Sequence, residues 1–157
     1  MNIKLGQKVI DKTTGFKGVV EHIVYPLHDA VKIGIQAPVG KDGKMGECYV
    51  VDYIGVEVVD EKPVVKAIPS EPKYPLGAKA ECTITGFKGT ITAYALYLNG
   101  CVRYKIQPVL PAGKKAEDYA AQYLPEGSLK VTNLPKKEKE PTKTGGPKEK
   151  ILRGKSW

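Results

Sequence analysis

The pentapeptide TGFKG occupies residues 14–18 and recurs unchanged at 85–89. It belongs to a longer match: sliding the chain on itself by 71 residues aligns 5–37 with 76–108 without a gap, with 12 identities in 33 positions. Leu5, Gly6, Lys8, Thr14, Gly15, Phe16, Lys17, Gly18, Leu27, Val31, Ile35 and Gln36 return as Leu76, Gly77, Lys79, Thr85, Gly86, Phe87, Lys88, Gly89, Leu98, Val102, Ile106 and Gln107. Identity of that density marks a tandem duplication. Further along, Tyr49 and Tyr53 match Tyr119 and Tyr123 with a shift of one residue. Two copies are too few for a solenoid, so each copy is expected to close its own core. Roughly 55–60 residues is a marginal size for that, and a closed or nearly closed sheet suits it because closure removes unpaired edges.

The pattern inside each copy is that of strands. Val31, Ile33 and Ile35 alternate with Lys32, Gly34 and Gln36, and Val102, Tyr104 and Ile106 alternate with Arg103, Lys105 and Gln107. This is the period of two shown by half-buried strands. GVVEHIVY and GTITAYALY, rich in β-branched and aromatic residues, read as the strands before them. Asn99-Gly100 joins the pair in the second copy as a tight hairpin turn, while His28-Asp29 fills that place in the first. A final strand is expected over 49–59 and over 129–131. AEDYAAQYL, at 116–124, has helical propensity, whereas its counterpart ECYVVDYI reads as strand, and the conflict stays open.

These elements predict an all-β protein of two tandem small barrels, at 1–60 and 76–133, followed by a basic tail at 134–157. Between the barrels, 61–75 carries Pro63, Pro69, Pro72 and Pro75, which favour an extended connector that holds the units apart. In the repeated pentapeptide, Gly15, Gly18, Gly86 and Gly89 are expected to supply backbone angles denied to other residues, with Phe16 and Phe87 plugging one end of each barrel. A phosphate-cradling loop is the alternative use of these glycines. Such a loop must open a helix whose amides face the anion, and here a β-branched strand follows.

GQKVIDKTTGFKGVVEHI and GAKAECTITGFKGTITAY resemble the KOW-type small barrel, the five-stranded Src-homology-like fold of ribosomal and transcription-elongation proteins. TGFKG at 85–89, YLNGC at 97–101 and QP at 107–108 also resemble small bacteriophage-encoded proteins of unassigned function. The first copy departs from that pattern with PLHDA at 26–30 and QAP at 36–38, so whatever the Asn-Gly-Cys hairpin contributes is wanted once. The resemblance implies a phage gene product, located in the host cytoplasm or the virion, and a small barrel. It implies no activity.

The formal charge of +8 is unevenly spread. Residues 1–60 hold 7 Lys/Arg against 8 Asp/Glu, 76–133 hold 7 against 4, and 134–157 hold 8 against 3. Cys48, Cys82 and Cys101 are odd in number and lack Cys-x-x-Cys spacing, which argues against a disulfide framework or a zinc module and for a reducing compartment. The N-terminus lacks the apolar core of a signal peptide, no stretch reaches membrane-spanning length, and no membrane partner is expected. Catalysis is not expected: only His22 and His28 are present, with Ser70, Ser128 and Ser156 scattered in the linker, near the last strand and at the C-terminus. No cofactor or metal is expected, because Cys48, His22 and His28 have no ligand spacing.

Binding is therefore the expected role, with a phage or host protein complex as the preferred partner. The tail offers Lys136, Lys137, Lys139, Lys148, Lys150 and Arg153, then the apolar Ile151, Leu152 and Trp157, as a segment that orders on a partner. Nucleic acid is the alternative partner, through Lys88, Tyr94, Tyr97, Arg103, Tyr104 and Lys105 of the second copy together with the tail. Tyrosines at strand spacing are more often packing than platform. Capture of a small-molecule ligand between the barrels is the weakest-supported role.

Overall fold

A computed structural model describes residues 1–136. The first copy forms β1 (Lys8–Asp11), β2 (Lys17–Pro26), β3 (Lys32–Gln36), β4 (Cys48–Asp52) and β5 (Val56–Asp60). The second forms β6 (Lys79–Cys82), β7 (Lys88–Tyr97), β8 (Val102–Gln107), β9 (Gln122–Pro125) and β10 (Leu129–Asn133). Every pairing is antiparallel, and the described residues contain no α-helix. In each copy the order is 5-1-2-3-4, read as β5-β1-β2-β3-β4 and β10-β6-β7-β8-β9. The ends β4 and β5 do not pair; the 3-10 turn Tyr53–Gly55 links them, as Glu126–Ser128 links β9 to β10. The expected single strand over 49–59 is thus broken in two, and 116–124 is neither all helix nor all strand: Ala116–Tyr119 is a 3-10 turn and Gln122 begins β9.

Each copy buries its own apolar cluster. Val9, Val20, Ile23, Ile33, Ile35 and Val56 fill the first, and Ala80, Cys82, Ile91, Tyr104, Ile106 and Leu129 the second. Ile33, Ile35, Ile91, Tyr104 and Ile106 are wholly buried, as the alternation of β3 and β8 predicts. Phe16 and Phe87 pack against these clusters from the TGFKG turns.

The copies are not held apart. Strands β2 and β7 pair directly: His22↔Tyr97, Ile23↔Leu96, Val24↔Ala95, Tyr25↔Tyr94 and Pro26↔Ala93. All ten strands therefore belong to one continuous sheet. Moving every residue by the repeat length converts the first pair of this ladder into the last and the second into the fourth, while Val24↔Ala95 maps onto itself. The register has a pseudo-twofold axis at Val24 and Ala95, the self-complementary geometry of an isologous dimer within one chain. The cause is strand length. β1 covers only the first part of the ten-residue β2, at Lys17–Val19, and β6 covers only Lys88–Thr90 of β7. Each long strand leaves a bare half-edge, and the two half-edges satisfy one another.

The proline-bearing segment between the copies lies on both instead of spacing them. The Val64 amide donates to the Gly6 carbonyl (2.9 Å) and the Ile68 amide to the Leu98 carbonyl (3.0 Å). With Ile3, Leu5, Ile23, Tyr25 and Leu96, Pro63 and Ala67 line a cleft of about 560 Å³ on the core side of the β2–β7 seam.

The TGFKG glycines divide their work differently from expectation. Only the first of each pair, Gly15 (φ 75°) and Gly86 (φ 73°), occupies the left-handed region. Gly18 and Gly89 are needed for close approach, since a Cβ there would collide with the carbonyl oxygen of Gln36 or Gln107 on the next strand. In the Asn99-Gly100 turn only Gly100 has positive φ (80°). The Gly100 amide donates to the Tyr97 carbonyl (2.9 Å) and the Cys101 amide to Asn99 Oδ1 (3.0 Å).

The ladders also correct the tyrosine match. Ile35 pairs with Tyr49 and Ile106 with Gln122, while Gly34 pairs with Val50 and Lys105 with Tyr123. The structural counterpart of Tyr123 is therefore Val50, because the second copy has two extra residues in its β8–β9 loop. Tyr49 and Tyr53 resemble Tyr119 and Tyr123 in sequence without sharing their places.

Candidate functional site

Both central strands carry a β-bulge at the same point. Val20 pairs with Ile35 and His22 with Gly34, so Glu21 is the extra residue; in β7 the extra residue is Thr92, between Ile91 and Ala93. A bulge resets the alternation of side chains. Val20, Ile23 and Tyr25 consequently face the core, while His22, Val24 and Pro26 turn to the other face, beside Tyr97, Ala95 and Ala93. Val24, Ala93 and Ala95 are buried there as a small apolar cluster of their own, flanked by Tyr97.

Val24 and Ala93 of that cluster form the apolar floor of a cleft of about 420 Å³ beside the pseudo-twofold axis. Val50 of β4 and Tyr123 of β9, at equivalent places in the two copies, both line it, and Lys32, Lys105 and Asp29 supply charge. Lys32 is tied to Asp29 (3.1 Å) and Asp52 (2.9 Å). Val50 and Tyr123 are exposed, and among the described residues β4 and β9 each pair on one side only.

One end of the cleft differs from the other in chemistry. His22 stacks on Tyr97 with ring centroids 4.9 Å apart and 27° between planes, and the Arg103 guanidinium lies 5.8 Å from the Tyr97 ring centroid. His22 Nδ1 is 3.2 Å from Glu21 Oε2, and the Cys48 thiol donates to the same oxygen at 3.4 Å. Partial burial of its sulfur, reinforced by the Glu21 carboxylate, pushes the Cys48 thiol up to about 11. Cys48 is therefore a protonated donor at neutral pH and not an activated nucleophile. A Cβ on Gly34 would fall inside the His22 ring, so the imidazole occupies space that glycine alone leaves open. At the equivalent place Ala93 faces Lys105, a small residue against a large one.

The residues expected to form a nucleic-acid face are not assembled as a stacking platform. Tyr104 is wholly buried; its hydroxyl donates to Glu126 Oε2 (2.9 Å) and accepts from the Tyr74 amide (3.0 Å), and burial pushes it up to about 12. Tyr94 stacks on Tyr25 across the seam (centroids 5.0 Å, 23°), and Tyr97 is taken by His22. These rings pack the protein, and only Lys88, Arg103 and Lys105 of that set offer charge. Lys136 is exposed at the end of the described chain; Lys137, Lys139, Lys148, Lys150, Ile151, Leu152, Arg153 and Trp157 lie outside the described residues.

A second repeated feature sits at the TGFKG turn. The buried Asp11 carboxylate accepts from Thr14 Oγ1 (2.6 Å) and from the amides of Thr13 (3.1 Å) and Thr14 (3.3 Å), which hold it below the usual carboxylate value. Its counterpart is Cys82, whose thiol is lowered to about 7 by hydrogen bonds from Thr85 and from the backbone at Thr85 and Ile84. In the first copy the loop is a small anion nest, already occupied by the Asp11 carboxylate. Of the cysteines, Cys82 is buried, while Cys48 and Cys101 are exposed.

The convergence of Glu21, His22 and Cys48 had no local signal in the sequence, since neighbours on a strand ordinarily point to opposite faces. The apolar outer face of β2 and β7 did have one: Val24, Ala93 and Ala95 are apolar residues at positions where a two-sided barrel strand would carry polar ones. No helix among the described residues is long and apolar enough to cross a membrane. No family model, curated protein or solved structure matches this chain.

Proposed function

We propose that the protein is a non-enzymatic interaction module that docks a segment of a protein partner in the cleft over the β2–β7 seam. The observation that carries this reading is the cleft itself: an apolar floor lined also from two strands, β4 and β9, that each keep one backbone edge unpaired among the described residues. Such edges accept an added strand, with main-chain hydrogen bonds giving affinity and flanking pockets giving side-chain selection. The 5-1-2-3-4 order with a 3-10 turn before the last strand supports reading each copy as a Src-homology-like small barrel, left open where β4 and β5 fail to pair. The bacteriophage resemblance makes the partner a virion or host protein complex, and the basic tail a second contact.

The test is recovery of the tagged full chain from infected cells, with native mass measurement, for wild type and for Val50→Arg and Tyr123→Arg. Both side chains are exposed, so the fold tolerates the changes. A partner held by wild type and lost by both variants supports the reading; recovery of wild type only as a free monomer, or equal recovery of partner with the variants, contradicts it.

Nucleic-acid binding, the second reading, rests on Lys88, Arg103, Lys105 and the tail charge once the tyrosines are assigned to packing. Its affinity would fall steeply with salt and drop on removal of 134–157. Absence of binding at low salt contradicts it.

A further inference from the structure

We propose that Glu21, His22 and Cys48 form a binding site for a borderline-soft divalent transition metal, with zinc(II) the best chemical fit. The carboxylate oxygen, imidazole nitrogen and sulfur all lie within 4.8 Å of one another. Ligands held tetrahedrally at zinc distances of about 2.0–2.3 Å are separated from each other by about 3.3–3.7 Å. The Glu21–His22 separation of 3.2 Å and the Glu21–Cys48 separation of 3.4 Å therefore already approximate two edges of a tetrahedron. The third edge closes by rotation of Cys48, which stands exposed on an edge strand.

Three features of the backbone build this set. The bulge at Glu21 brings two consecutive residues to one side. Gly34 clears the room that the imidazole fills. The β3–β4 ladder places Cys48 opposite Gln36, next to the bulge. The second copy repeats the bulge and the ladder but carries Thr92, Ala93 and Ala121 at the same places, so the fold does not require ligands there. Stacking on Tyr97 fixes the plane of the imidazole, as outer-shell contacts do for metal-bound histidines.

Without metal, the thiol proton and the imidazole share the Glu21 carboxylate. Binding displaces the thiol proton to solvent, and the thiolate, imidazole and carboxylate occupy three positions. The site shares His22 with one end of the docking cleft but uses neither the strand edges nor the apolar floor on which the docking reading rests.

The experiment uses the full chain, reduced and freed of metal by chelation. Zinc is titrated calorimetrically, and cobalt(II) by absorption, which reports thiolate ligation through a charge-transfer band. One equivalent should bind with that band present. Cys48→Ser should abolish the band, Cys48→Ser and Glu21→Gln should each weaken binding at least about tenfold, and Cys101→Ser should change neither. Wild-type NMR gives a readout free of variants: zinc should shift the ring signals of His22 and leave those of His28 in place. No saturable binding of either ion, a cobalt band that survives Cys48→Ser, or zinc shifts centred on His28 would overturn the assignment.

Discussion

The two halves of this protein have one backbone and two chemistries. Both have the bulge, the five-strand order and the glycine at positive φ in the TGFKG turn, yet Asp11 stands where the second half has Cys82, and Glu21, His22 and Gly34 stand where it has Thr92, Ala93 and Lys105. What is shared is therefore what the fold needs. What differs is free to serve a ligand or partner, and Glu21 and His22 bring it to one end of the cleft. The duplication also created the cleft, because an exposed half-edge in one copy is completed by the same half-edge of the other.

The largest expected effect tests whether the halves unfold as one. Tyr104 is the largest wholly buried side chain among the described residues, and Tyr104→Ala should cost about 3–5 kcal/mol. If the seam couples the halves, urea denaturation will show a single transition at a lower midpoint. Two separated transitions, with the first half unaffected, would break the comparison at its root. Next comes the size exchange across the bulge. Gly34→Ala should cost about 1–3 kcal/mol by overpacking against the His22 ring, and adding His22→Ala should restore most of it, giving a positive coupling in a double-mutant cycle. Additive costs would mean that the ring is not what reserves the space.

A smaller effect should be equal in both halves. Gly15 and Gly86 have similar positive φ and nothing close to a prospective Cβ, so Gly15→Ala and Gly86→Ala should each cost about 1–2 kcal/mol. Unequal costs would show that the turns are not equivalent. The smallest effect is one of pH. The folded Cys82 thiol, near 7, lies below its ordinary value of 9.0, so its contribution is complete above pH 9 and is lost as pH falls through 7. The depressed Asp11 contributes above the ordinary carboxylate value of 3.8 and loses that contribution as pH falls through its lower folded value. Cys82→Asp should keep the fold, remove the dependence between pH 7 and 9, and steepen the acid limb. An unchanged profile of denaturation midpoint against pH would show that the turn does not lower the Cys82 thiol.

Much of this was legible in the sequence for a physical reason. Alternation in β3 and β8 reports burial on one face directly, and the repeated TGFKG marks turns whose glycines have no substitute. The β2–β7 seam was not legible as a pairing, because it joins residues distant along the chain with no turn to set their register. Ala93 and Ala95 on the outer face were its trace. The bulge hid the candidate metal site: period-two reading sends Glu21 and His22 to opposite faces, and only the inserted residue brings them together with Cys48. The proline count of 61–75 predicted an extended segment but could not tell a spacer from a strap bonded to Gly6 and Leu98.

The seam between the copies is the claim on which the cleft and the comparison both depend, and cross-strand nuclear Overhauser effects on the full chain test it most directly. Contacts should link Val24 with Ala95 and, symmetrically about that pair, Ile23 with Leu96 and Tyr25 with Tyr94. Well-resolved spectra in which each half shows only its own internal contacts would contradict the account.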